Sequence, residues 1–274
     1  SILPIRDMRI FAGEVVLADI FTEGRLILGV GRGNFRYEME RLGIPMEETR
    51  ARFDESLAVL QAVLEREEVS WDGDYYKFDP LTVMPRPINP GGPPMMMAAV
   101  KPDAIYHCAR QGYHVQTTPL AGSKSYLQEQ VDAFNRGKEE AGDVGADLTL
   151  TLLRVGFMCH SEMEKRERIQ MAHAFLGRFD NVHEGAGIVD NGMVRALPRR
   201  QPIDQVAKNA LIGMKQEMID KLSVFDEMGI DRIILNVNFG CDPHETLDSI
   251  QYFAEEVMPH FADEKDGDIR KIVA

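Results

Sequence analysis

The chain has 274 residues and a formal net charge of −13 at pH 7, which suits one large α/β domain or two small ones. The acidic balance, with no basic block, argues against a nucleic-acid partner. No apolar run approaches the ~20 residues needed to cross a bilayer, so no membrane partner is expected. The three cysteines are far apart, with no metal-ligand spacing, which fits a reducing, cytoplasmic location better than a disulfide framework.

The N-terminal part of the chain shows the first helix and strand signals. Asp7 is a candidate cap for a helix that ends near Phe21, and the aliphatic run 26–30 predicts a buried strand. Residues 34–47 read as a polar loop, and 48–65 predict a helix with apolar side chains along one face. The segment 69–83 contains Asp-Gly between aromatic residues, which predicts a β-hairpin outside the βα alternation.

The rest of the chain repeats the alternation of strands and helices after a proline-rich connector over 85–94. Pro102 suits a first helical position. Further strands are predicted at 95–99, 114–117, 148–158 and 231–238, and helices from 102, at 123–141, from 161, at 216–228 and at 246–261. This order calls for a parallel sheet in a single domain over 1–261, followed by a charged tail over 262–274.

One segment interrupts the alternation. Residues 179–205 are rich in glycine and then carry Pro198-Arg199-Arg200-Gln201-Pro202. A long irregular insertion in an α/β domain is usually a lid or a substrate loop. Arg199 and Arg200 are candidates to meet an anion, and a solvated or inter-subunit role is equally open.

The stretch from Gly24 to Gly33 is the best candidate for a binding site. Its glycines allow close backbone approach, and Arg32 follows the strand where an α/β fold opens onto its ligand crevice. A guanidinium there suits phosphate or carboxylate, and a surface arginine in a tight turn is the alternative.

Other familiar catalytic patterns are absent from the sequence. There is no GxSxG, no HExxH and no phosphate-loop motif, and the histidines are scattered. The run Gly29-Val30-Gly31-Arg32-Gly33 lacks the third glycine of a dinucleotide fingerprint. This sparse acid–base inventory is typical of a protein whose bound cofactor supplies the chemistry.

Several motifs together resemble the bacterial-luciferase-like flavin monooxygenases. The strongest is the stretch GRLILGVGRG at 24–33. The others, in the family's order along the chain, lie at 37–43, 50–55, 71–78, 85–87, 109–112, 235–240 and 253–259.

The resemblance implies a TIM (β/α)8 barrel with insertions and reduced FMN at the carboxyl ends of the strands. It implies a homodimer, a separate flavin reductase, and oxygenation of an aldehyde, ketone or similar small molecule by O2 through a flavin C4a-peroxide. Two alternatives remain open: a deazaflavin (F420)-dependent oxidoreductase of the same fold, and a non-catalytic flavin-binding or partner subunit.

The resemblance also suggests cofactor-binding residues near the first strand. Arg32 and Arg50 match two arginines that contact the flavin phosphate. Gly31 falls where luciferase itself carries a reactive cysteine near the flavin ring. No catalytic residue and no metal ligand is assigned.

A second set of matches follows the next strand. Ala99, Val100 and Lys101 match a turn that offers backbone amides and hydroxyls to the phosphate, although Glu-Ser or Ser-Ser is more usual than Val100-Lys101. Lys101 either replaces a hydroxyl with a charge or points to solvent. Thr118 matches a small polar residue beside the flavin ring.

The family resemblance raises one further expectation, about strand number. Family members carry further N-terminal residues that form the first strands, and this chain starts at the end of the third. Five predicted strands cannot close an eight-stranded barrel. The chain is therefore expected to lack the first two to three strands. Either the protein is truncated, or a partner chain completes the barrel.

Overall fold

The computed structural model describes residues 1–118, 124–183, 187–198 and 202–262. They form two compact units. The first contains 1–98 with Val182 and His183, and the second contains the other described residues.

The first unit contains three α-helices and four strands. Its elements are a 3-10 helix (Leu3–Ile5), α1 (Met8–Phe21), β1 (Leu28–Val30), α2 (Arg36–Arg41), α3 (Thr49–Glu65), β2 (Val69–Asp72), β3 (Lys77–Leu81) and β4 (Met95–Ala98). Strands β1 and β4 pair in parallel, and Ile2 adds a parallel bridge to Gly31 beside β1.

Helix α1 begins where its capping residue predicts and packs against α3. The Asp7 carboxylate accepts a hydrogen bond from the Arg9 backbone N–H at 3.0 Å, so the predicted cap is confirmed. Phe11 is buried, whereas Ile10 and Leu17 are 67% and 47% exposed. They lie on the other side of the helix because only one stripe faces α3.

The predicted polar loop at 34–47 is wrong in part, because it contains α2. Met39 is fully buried there, and Arg36 pairs with Glu40 at 2.7 Å one helical turn away. With one buried side chain, the helix is too short to produce an apolar periodicity.

The predicted hairpin is confirmed as the antiparallel pair β2–β3, in which Trp71 lies opposite Phe78. The Glu55 carboxylate of α3 holds its turn. It accepts hydrogen bonds from the Trp71 indole N–H at 3.1 Å and from the backbone N–H groups of 74–76 at 3.1, 3.0 and 2.9 Å. A Cβ on Gly73 would lie 2.1 Å from Glu55 Oε1, so the turn needs glycine for space.

The second unit is built around a central strand, β6. Its strands are β5 (His114–Thr117), β6 (Leu150–Met158), β7 (Val189–Asp190), β8 (Met193–Val194), β9 (Leu211–Gly213) and β10 (Arg232–Asn236). Its helices are α4 (Pro102–Arg110), α5 (Lys124–Glu140), α6 (Glu162–His183), α7 (Ile203–Asn209), α8 (Lys215–Glu227) and α9 (Pro243–Glu256), with 3-10 turns at Gly142–Gly145 and Met258–Phe261. Strand β6 pairs in parallel with β5 and β10, as the alternation predicts, and also with β9.

Two expectations for this unit are corrected. Strand β9 is a parallel strand beyond those that the sequence indicated, because three buried residues are too short for a recognisable run. The segment 179–205 is not irregular throughout, since α6 continues to His183, β7 and β8 form a hairpin, and α7 begins at Ile203. Arg199 and Arg200 lie outside the described residues.

The C-terminal helix begins earlier than predicted, at Pro243, and most of the charged tail, 263–274, lies outside the described residues. Within the described ranges, no helix is both long and apolar enough to span a bilayer.

Candidate functional site

In the first unit, the carboxyl end of β1 forms an open turn. Leu28 and Val30 are buried opposite Met95 and Met97 of β4, and Gly29 between them is exposed. The predicted buried strand at 26–30 is therefore confirmed only in part, because its middle residue Gly29 is exposed.

The backbone of Gly31 is hydrogen-bonded, and the space that a side chain would occupy is open. Its N–H donates to the Ser1 carbonyl at 2.8 Å, and its own carbonyl accepts from the Leu3 N–H at 3.1 Å. A Cβ on Gly31 would meet only the Ala98 Cβ, at 3.9 Å. The turn therefore leaves room for a bulky group to approach.

Arg32 projects from this turn and is exposed. It makes no hydrogen bond or ion pair within the described ranges. Gly33 follows with φ +81°, and a Cβ there would lie 2.7 Å from Met39 Sδ, so glycine is required for both conformation and space. The turn thus presents a guanidinium whose donors are available to an anion.

Arg50 lies on α3 and is engaged by its own helix. Its Nε is 2.9 Å from Asp54 Oδ2, and its side chain is 73% exposed. An exposed pair of this spacing contributes only about 0.3–0.5 kcal/mol, so a phosphate could displace it at little cost. The shared role of Arg32 and Arg50 in binding a phosphate stays a prediction.

In the second unit, the predicted turn at 99–101 is partly engaged. The Ala99 N–H donates to the Gln116 carbonyl at 3.0 Å, so this amide is not available to a phosphate. The Val100 carbonyl accepts from Gln130 Nε2 at 2.5 Å. Lys101 occupies the position before α4 without a side-chain capping hydrogen bond, is exposed, and has no ion pair within the described part of the chain.

Thr118 and its neighbours carry buried polar atoms that have no partner among the described residues. These atoms are the hydroxyls of Thr117, Thr118 and Thr151 and the Gln130 Oε1. A buried polar group left without a hydrogen bond costs about 1–3 kcal/mol. The Thr117 and Thr118 hydroxyls lie at the carboxyl end of β5, where a bound polar group would satisfy them. Thr151 pairs with Gln116, so its side chain lies on the other face of the sheet from that of Thr117.

The structure also shows a histidine that the sequence did not single out. His183 Nε2 lies 2.6 Å from the Asn34 amide nitrogen, and its ring meets Phe35 edge-on at 5.9 Å. Asn34 and Phe35 directly follow the turn that holds Arg32. The pairing joins residues 149 positions apart, and no local pattern signals it.

The other titratable groups of interest have structural roles. Burial raises the pKa of the Cys159 thiol to about 12, which keeps it protonated and unreactive. His114 Nδ1 accepts a hydrogen bond from the Thr149 N–H at 3.1 Å, at the amino end of β5. In the described ranges, no cluster of three His, Cys, Asp or Glu side chains could hold a metal ion.

Comparison with known proteins identifies the class to which this fold and turn belong. The family model described as luciferase-like monooxygenase matches residues 1–232. The chain therefore belongs to the luciferase-like monooxygenase family, as its motifs predict.

Individual relatives within the family use different cofactors. The oxygenase component of the flavin-dependent trigonelline monooxygenase of Acinetobacter baylyi is 26% identical over 264 residues, which cover 93% of this chain and 72% of the relative. An F420-dependent glucose-6-phosphate dehydrogenase of Nakamurella multipartita is 24% identical over 241 residues, 86% of this chain and 68% of the relative.

Among solved structures, the monooxygenase RslO1 from Streptomyces bottropensis matches with a TM-score of 0.79 and 23% identity, over 95% of this chain and 76% of that one. This likeness establishes a luciferase-like α/β fold. The relatives named above are flavin- or F420-dependent oxidoreductases and monooxygenases.

Proposed function

We propose that this chain is an FMN-dependent monooxygenase component that uses reduced FMN and O2 to oxygenate a small organic substrate. The observation that supports this most directly is Arg32, an exposed guanidinium between Gly31 and Gly33 with no partner in the described ranges. Its planar fork suits a phosphate group. The reduced flavin would supply the electrons for oxygen chemistry, and the protein would orient it and exclude water.

Within this proposal, Arg32 and Arg50 bind the cofactor phosphate, and Gly31 leaves room beside it. Arg50 would exchange its exposed Asp54 partner for the more highly charged phosphate. The roles of Ala99, Val100, Lys101 and Thr118 in cofactor binding stay predictions. Each can be tested by substituting that residue.

The proposal extends to architecture and partners. It includes a single luciferase-like barrel-type domain over 1–261, a homodimer, and a separate reductase that delivers reduced FMN. The A. baylyi relative is named an oxygenase component, which supports a separate reductase. Trigonelline, named for that relative, is the first substrate to test.

A second candidate function is an F420-dependent oxidoreductase that transfers hydride without O2. The N. multipartita relative, which is named as F420-dependent, favours it. Anaerobic titration with reduced FMN and with reduced F420, followed by oxygen-uptake measurements, separates the two. Tighter F420 binding without oxygen uptake supports the second candidate, and flavin binding without uptake supports a non-catalytic subunit.

The phosphate assignment is tested on the same titration. We expect Arg32→Ala and Arg50→Ala each to weaken the binding of reduced FMN by about tenfold or more, which is the scale of one charge-assisted hydrogen bond. Arg36→Ala is the matched control, since Arg36 is an exposed arginine paired with Glu40 on α2. Unchanged affinity in both Arg32→Ala and Arg50→Ala would contradict the assignment.

A further inference from the structure

The first unit contains a surface cleft whose lining includes neither Arg32 nor Arg50. Its volume is about 520 Å³, within the range of small-molecule sites. Its walls come from the 3-10 helix, the first turn of α1, the α2–α3 loop, α3 and the β2–β3 turn.

Four cations and one carboxylate line the cleft: Arg6, Arg9, Arg52, Lys77 and Asp7. Each cation is paired with a carboxylate, namely Glu14, Asp7, Glu48 and Asp72 in the same order. The anion preference of the cleft therefore depends on the N–H donors that these pairs leave unused.

The cations differ in how many donors they leave available. Arg9 is bound by Asp7 through both Nε and Nη2. Arg6 uses Nη1 to bind Glu14 at 2.8 Å, and its guanidinium lies 4.8 Å from the centre of the Phe11 ring, while its Nε and Nη2 make no hydrogen bond among the described residues. Arg6 is therefore the side chain best placed to hold an anionic group.

An aromatic surface lies in the same cleft. The Arg52 guanidinium lies 4.7 Å from the centre of the Tyr75 ring. The Tyr76 hydroxyl donates to the Arg6 carbonyl at 2.9 Å, so the hairpin turn is bonded directly to the backbone of Arg6. Because Glu55 also holds this turn, both tyrosines are fixed before any ligand arrives.

We propose that this cleft binds a small organic anion with a planar aromatic body. The anionic group lies on Arg6, and the ring packs on Tyr75 beside Leu42 and Ile44, which also line the cleft. Carboxylate and phosphate share the chemistry that Arg6 recognises. The site is independent of the proposed cofactor contacts.

Calorimetric titration of the purified chain with benzoate, phenyl phosphate and inorganic phosphate tests this proposal. We expect saturable binding of at least one aromatic anion, and inorganic phosphate at least tenfold weaker because it lacks a ring. The tighter aromatic ligand identifies the preferred anionic group. Trp71, the only tryptophan of the chain, is bonded to Glu55, so its emission reports the same event.

Matched variants locate the binding. Arg6→Gln is expected to weaken binding of the aromatic anion at least tenfold. Tyr75→Leu is expected to weaken it several-fold, because the ring contact is lost. Arg36→Gln removes the same charge from another glutamate-paired arginine outside the cleft and should leave binding unchanged. Circular dichroism melts check that each variant is folded. If Tyr75→Leu is not folded, Arg6→Gln alone tests the proposal.

Three results would overturn the proposal. They are the absence of binding by both aromatic anions, equal losses in Arg6→Gln and Arg36→Gln, and inorganic phosphate binding as tightly as phenyl phosphate.

Discussion

Two hairpins lie among the described residues, β2–β3 and β7–β8, and each is held by one polar side chain of the preceding helix. Glu55 of α3 accepts four hydrogen bonds from the β2–β3 hairpin. Asn181 of α6 instead donates to the carbonyls of Ile188 and Arg195, at 2.9 and 2.8 Å, and accepts from the Ile188 N–H at 3.0 Å.

The hairpins differ in what else stabilises them. The first has strands of four and five residues and a cross-strand aromatic pair, Trp71 and Phe78. The second has two residues in each strand, and its Met193 is 61% exposed. A hairpin that short has little intrinsic stability, so the neutral amide of Asn181 is needed to form it, whereas the Glu55 carboxylate positions a hairpin that already has its own pairing.

Of the substitutions that test this comparison, replacing Glu55 should have the largest effect on the free energy of unfolding. We expect Glu55→Ala to lower the free energy of unfolding by about 3 kcal/mol, because several N–H groups lose a charged acceptor. Urea unfolding followed by Trp71 emission and by circular dichroism measures it. Glu65→Ala is the control, since Glu65 is an exposed residue of the same helix with no partner in the described ranges. Equal losses in the two variants would contradict a special role for Glu55.

Replacing Asn181 should have a smaller and more local effect. We expect Asn181→Ala to cost about 2 kcal/mol, because it leaves two carbonyls and one N–H without their partner. Amide hydrogen exchange should then rise sharply at Ile188, whose N–H bonds the Asn181 side chain. Unchanged exchange at Ile188 would show that the β7–β8 hairpin forms without this residue.

His114 extends the comparison to a side chain that titrates, and we expect the smallest effect there. Burial, assisted by Arg232, lowers the pKa of His114 below its ordinary value of 6.5. The unfolded state therefore binds more protons near that pH, so stability is full above about pH 6.5 and falls as the pH drops towards the folded pKa. Urea unfolding at about pH 7.5 and about pH 5.5 measures the slope, which His114→Gln should reduce. An identical slope in the variant would assign the dependence to other groups.

Much of the fold follows from local sequence signals. The Asp7 cap, the Pro102 helix start and the Asp-Gly hairpin all appear where predicted. The missed elements, α2, α7, β9 and the β7–β8 hairpin, are short. They depend on distant contacts, as where Leu211 of β9 pairs with Gly156 of β6, and so leave no periodic pattern.

The candidate site divides in the same way. The position of Arg32 after a strand and between glycines is visible in the sequence, because strand ends and glycine turns are local features. The Asp54 partner of Arg50 is also local, at one helical turn. The contact between Asn34 and His183, and the unpartnered hydroxyls of Thr117 and Thr151, emerge only from three-dimensional packing.

By itself, the sequence determined the α/β class, the helix caps, the first hairpin and the family. These depend on interactions between residues a few positions apart and on motifs that can be recognised in order. Only the tertiary structure decided which side chains hold the hairpins, which polar atoms are left without partners, and that four cations and two tyrosines share one cleft. Those arrangements join residues distant in the chain, and packing selects them after the local elements have formed.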